Sequence, residues 1–74
     1  MKITVKTMSG TMYHFNIEDT DKIEALKKKV QQKVALTPDQ QRLVYKGKIL
    51  PDDKTPEECG VQPGETIQLI LALK

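Results

Sequence analysis

Residues 1–7, MKITVKT, alternate without a break: Met1, Ile3 and Val5 fall on one side of an extended chain, and Lys2, Thr4 and Lys6 on the other. A period of two is what a strand with one buried face requires, because successive side chains point to opposite sides. MSG at 8–10 interrupts the pattern and supplies Gly10, where a short hairpin loop with a bulge needs a positive φ. TMYHFNI (11–17) then alternates again, with Tyr13, Phe15 and Ile17 expected to face inward. The two runs predict a hairpin.

The period then changes. Ile23, Leu26, Val30 and Val34 recur at helical spacing, while Lys22, Lys27, Lys28, Lys29, Gln31, Gln32 and Lys33 fill the other side. Asp21 with Glu24 three residues on reads as an N-cap and its capping-box partner. The helix should end near Val34, because Thr37-Pro38 cannot continue it. QRLVYKGKIL (41–50) predicts a third strand, a tight turn around Lys46-Gly47-Lys48 and a short fourth strand, with Leu43 and Leu50 in the core. Thr55, Pro56 and Glu58 have the residue types of a short helix start: a cap, a proline at the first position and an acid at the third. Pro63-Gly64 turns the chain into a last strand, with Ile67, Leu69 and Leu71 on one face and Gln68, Ile70 and Ala72 on the other.

The predicted order is β-β-α-β-β-(short helix)-β, an α+β fold. The first and last strands are the most apolar, so they are expected centrally, with the long helix packed across one face. At 74 residues, the chain is read as one domain, 1–74, burying roughly 60–65% of its unfolded surface. With 38% hydrophobic and 30% charged residues, it falls with ordinary globular proteins rather than disordered ones.

Cys59 is the single cysteine, which rules out an internal disulfide framework. No apolar stretch reaches the ~18 residues of a membrane helix, and no signal-peptide pattern opens the sequence. The expectation is a cytoplasmic or nuclear protein with no membrane partner. A net charge of +2 does not demand nucleic acid either.

Candidate chemistry is sparse. His14 is expected on the outward face of the second strand and Cys59 after the short helix, so a solvated imidazole and a small buried thiol outweigh a Cys–His pair. A zinc site wants about four ligands, more than the single histidine and cysteine supply. No glycine loop that would cradle phosphate is present. The reading is a non-enzyme with neither metal nor cofactor.

VKTMSGT, TPDQQRLVYKGKIL and TIQLILALK together resemble the ubiquitin family, in register along the whole chain without a gap. The resemblance implies the β-grasp fold: a mixed five-stranded sheet curled around one long helix, with the first and last strands parallel in the middle. It also carries departures. Ala35 stands where the family has a glycine closing the helix, at a cost of roughly 1 kcal/mol if the left-handed geometry is kept. Cys59 and Pro51 replace a tyrosine and the backbone N–H it binds, so both ends of that bond are absent together.

In β-grasp geometry the outward side chains Met8, Val44 and Ile70 form one apolar patch, with Gln68 between strands and Lys6, Arg42, Lys46 and Lys48 around them. A contiguous apolar cluster ringed by charge marks an interface more often than scattered surface hydrophobics do. The resemblance implies that Met8, Val44 and Ile70 occupy the family's recognition patch. Gln68 replaces the histidine usual there, and Gly47 and Leu73 complete the set of partner-binding residues. An amphipathic helix with acidic flanks suits such a surface, and its small area implies weak, transient binding by a monomer. Lys6, Lys27, Lys29, Lys33 and Lys48 match the family's chain-linking positions, but a helix surface wants long charged side chains anyway.

The family's modifiers act through a C-terminal Gly-Gly tail, whereas Leu71-Ala72-Leu73-Lys74 contains no glycine. The first expectation is therefore a non-conjugated interaction domain of an adaptor, docking to proteasome subunits, ubiquitin-pathway receptors or a segregase. The alternative is a modifier whose two glycines lie beyond the sequence. Ala72, TDKIE and DDKT lean toward the Rub type of modifier.

Overall fold

The computed structural model describes residues 1–72 of the chain. Five strands and one α-helix follow one another as β1 (Lys2–Lys6), β2 (Met12–Asn16), α1 (Ile23–Val34), β3 (Gln41–Tyr45), β4 (Lys48–Ile49) and β5 (Thr66–Leu71), with a single 3₁₀ turn at Pro38–Gln40 ahead of β3. The sheet order is β2-β1-β5-β3-β4. β5 lies parallel to β1 and antiparallel to β3, so the sheet is mixed, as the β-grasp expectation requires.

The alternation in the sequence becomes burial. Ile3, Val5, Phe15, Ile17, Leu43, Tyr45, Leu50, Ile67 and Leu69 point to one side of the sheet, where they share a core with Ile23, Leu26 and Val30 of α1 and with Val61. Each fully buried aliphatic side chain contributes on the order of 1.5–3 kcal/mol. Tyr13 is half-buried at the core's margin. Leu71, expected inward, is 42% exposed, because it lies one strand step beyond the last core position, Leu69.

Two backbone expectations hold in detail. Gly10 takes φ 91° in the β1–β2 loop, and Lys46-Gly47 takes φ 51° and 80°, the paired positive values of a two-residue turn matched to strand twist. Ala35 keeps the left-handed geometry, with φ 58° and ψ 24°, and its N–H donates to Gln31 O.

Three local expectations need correction. Asp21 does not cap α1: its carboxylate accepts from the Glu18 N–H at 2.9 Å, and the preceding position is Lys22, without a side-chain cap. Carbonyls from the loop after β4 do the work instead, since Ile23 N–H donates to Lys54 O and Glu24 N–H to Asp52 O. Lys27, expected on the polar side of the helix, is buried on its inner side and paired with Asp52. The short helix expected at 55–58 is a run of hydrogen-bonded turns. Thr55 and Glu58 nevertheless bond reciprocally, each backbone N–H to the other's side chain.

Candidate protein-interaction face

The side of the sheet away from α1 is built by the complementary residues of each strand. β1 contributes Lys2, Thr4 and Lys6; β5 contributes Thr66, Gln68 and Ile70; β3 contributes Arg42 and Val44. Pairing sets their neighbours: Lys6 stands beside Gln68, Gln68 beside Val44, and Ile70 beside Arg42. Val44 and Ile70 are diagonal neighbours on adjacent strands, a separation of about 7–8 Å that large side chains bridge.

Five of the expected binding residues are thus brought together: Lys6, Arg42, Val44, Gln68 and Ile70. Gly47 occupies the exposed β3–β4 turn, and Lys48 stands on the edge strand, paired with Tyr45. Lys46 folds over the Tyr45 ring, its Nζ 5.3 Å from the centroid. Met8, 70% exposed, belongs to the β1–β2 loop rather than to a paired strand. Leu73 lies outside the described residues.

Met8 also borders a groove of about 510 Å³ around the corner from the sheet face. Tyr13, Val34, Leu36, Leu69 and Leu71 line it as well. The sequence reading missed this hollow, since its walls come from three elements distant in the chain. Two outward apolar residues were missed too, Met12 on β2 and Ile49 on β4. Their signal was present: each is a large apolar residue in phase with the outward positions of its strand.

Charge on the sheet is one-sided. Lys2, Lys6, Arg42 and Lys48 lie in strands, whereas all ten acidic residues of the chain lie outside them. Helix cations are largely engaged locally: Lys27 with Asp52, Lys29 with Asp21 and the Asn16 carbonyl, and Lys28 loosely with Glu24.

The two reactive side chains have separate neighbours. His14 Nδ1 lies 2.9 Å from Thr4 Oγ1 across the first hairpin, while Cys59 packs against the core. Burial pushes the Cys59 thiol up from its ordinary 9.0, and Glu58 adds to the shift. A raised thiol is a poor nucleophile at neutral pH. Among the described residues, no group of three His, Cys, Asp or Glu side chains is arranged to hold a metal ion.

Comparison with known proteins agrees with this architecture. The sequence model of the Ubiquitin family matches residues 3–74. The chain is 40% identical to ubiquitin-like protein NEDD8 of Dictyostelium discoideum over 74 residues, covering all of this chain and 96% of that protein. It is 39% identical to NEDD8-like protein RUB3 of Arabidopsis thaliana, again over all of this chain and 95% of the relative. Ubiquitin-like protein 4A of Xenopus laevis is 31% identical over 71 residues, which is 96% of this chain but 48% of that longer protein. An α1 helix held against a mixed sheet of order β2-β1-β5-β3-β4, together with a family match over nearly every residue, makes this chain a member of the ubiquitin family.

Proposed function

We propose that the chain is a protein-recognition module read through the outward sheet face, with Val44 and Ile70 as apolar anchors and Lys6 and Arg42 as the cationic rim. The observation that carries it is the pairing of Arg42 with Ile70 and of Val44 with Gln68, which sets apolar and cationic side chains beside one another on the outward face of two inner strands. An acidic amphipathic helix is the complementary partner: its apolar stripe covers the anchors and its acids face the rim. Receptors of the ubiquitin pathway and proteasome subunits fall within this class. Titration with an acidic amphipathic helix, followed by backbone amide shifts, tests the reading. Val44→Ala or Ile70→Ala abolishes the binding while the fold survives, whereas unchanged affinity, or shifts centred on α1, would refute it.

Two modes of delivery compete, and the relatives favour one. Coverage of 95–96% of the NEDD8 and RUB3 relatives supports a modifier of the Rub type over the adaptor domain. The 48% coverage of ubiquitin-like protein 4A keeps the adaptor as the second reading. The modifier reading requires a Gly-Gly tail after Lys74, since a chain without side chains is what threads a narrow catalytic channel. Protein extended by Gly-Gly and incubated with ATP and activating enzymes forms a thioester if the modifier reading is right, and stays free if the adaptor reading is.

A further inference from the structure

Met12 on β2 and Ile49 on β4 are 52% and 60% exposed, and the recognition reading above uses neither. Strand pairing sets both into one row that crosses the whole sheet: Met12, Lys6, Gln68, Val44, Ile49. With strands about 4.8 Å apart, the four steps from β2 to β4 span roughly 19 Å. Single exposed hydrophobics need no explanation. Ile49 adjoins Val44, and Met12 stands at the opposite edge beyond Lys6 and Gln68, so apolar positions where charge normally discourages edge pairing reach both edges and widen the surface a partner meets.

That width selects the partner. One helix with its side chains is about 10–12 Å across, so a helix aligned with the strands reaches Met12 or Ile49 but not both. Two helices packed side by side, with axes about 8–10 Å apart, cover the full width. Charge selects further. The outward positions of the strands carry Lys2, Lys6 and Arg42, and no strand carries an acid, so two copies face to face would set cation against cation. A partner with acidic flanks meets the same cations favourably.

We propose that the outward face takes an acidic two-helix partner. One helix covers Met12, Lys6 and Gln68 near β2, and the other covers Val44 and Ile49 near β4. The proposal deepens the recognition reading and rests on it. The edge residues set which partners bind tightly, and the central ones set whether any bind.

Two designed probes test this by calorimetric titration of the chain: a single acidic amphipathic helix with one apolar stripe, and an acidic helical hairpin with two. The hairpin is expected to bind about tenfold more tightly than the single helix. Met12→Gln and Ile49→Gln, both at exposed positions, each weaken the hairpin roughly fivefold, whereas the single helix responds to at most one of the two, and Val44→Ala weakens both probes. A hairpin no tighter than the single helix, or indifferent to both edge variants, overturns the proposal. A single helix weakened by both edge variants would lie across the strands and also overturns it. Sedimentation showing self-association that Met12→Gln removes assigns the row to a second copy and overturns it equally. Silent edge variants with Val44→Ala still effective leave the recognition reading standing; a silent Val44→Ala removes both.

Discussion

Lys27 Nζ lies 2.6 Å from Asp52 Oδ1, and the two side chains differ sharply in exposure, 10% for the lysine against 58% for the aspartate. A nearly buried cation on α1 is therefore answered by an anion at the surface. The loop that supplies Asp52 also supplies the carbonyls that receive the first helix amides. α1 is fastened at its start by a segment from the far side of the sheet.

Removing one partner of this pair should cost more than replacing the buried one by a hydrocarbon. Asp52→Ala leaves the Lys27 ammonium without its counter-charge, at about 1–2 kcal/mol, discounted from the fully buried case because solvent reaches Asp52. Lys27→Met keeps the volume and removes the charge, and should cost under about 1 kcal/mol. Urea unfolding of both variants checks the order; the reverse order would make the ion pair itself a net source of stability.

Ala35 carries a left-handed backbone without being glycine. Ala35→Gly should stabilise the chain by up to about 0.5 kcal/mol, the relief of strain being offset in part by a looser unfolded chain. A rise in the urea midpoint at constant slope is the expected reading.

Hydrogen bonds from the Thr55 backbone and side chain hold the Glu58 carboxyl below its ordinary 4.5. A depressed folded-state value gives a stabilising contribution that is present above the unfolded value and lost as pH falls through the folded one. Glu58→Gln should therefore flatten part of the acid limb of the stability profile below about pH 4.5 and leave the neutral region nearly level. Thermal melts at stepped pH check this.

Cys59 has the opposite sign. Its raised thiol value means a contribution fully present below the ordinary 9.0 and lost as pH rises through the folded value. Modification by an aromatic disulfide reagent at pH 8 should run several-fold slower in the native chain than in urea, because both thiolate fraction and access are reduced. Equal rates would place the thiol in open solvent.

Strands and core were legible because their period is local. Ile3, Val5, Phe15, Leu43, Ile67 and Leu69 all lie inward as alternation requires. The helix span was legible for the same reason. Lys27 was not, since position i+4 from Ile23 falls inside the apolar stripe, and only Asp52, twenty-five residues away in sequence, makes a cation tolerable there. The cap of α1 failed likewise, because backbone carbonyls of the 52–54 loop leave no trace in residue type. Val44 and Ile70 were read as outward, yet the row reaching Met12 and Ile49 depends on register between strands that are not consecutive.

β5 joins two pieces that otherwise share no strand pairing: the β1–β2 hairpin on one side and the β3–β4 hairpin on the other. Thr4 meets Thr66, and Val5 meets Ile67, so the closing contact spans nearly the whole chain. Each hairpin forms locally and quickly, but an isolated hairpin is marginal in water. During synthesis this sets a limit: until Thr66–Leu71 clears the ribosome, the two halves have no common strand to pair with, and the five-stranded sheet cannot close.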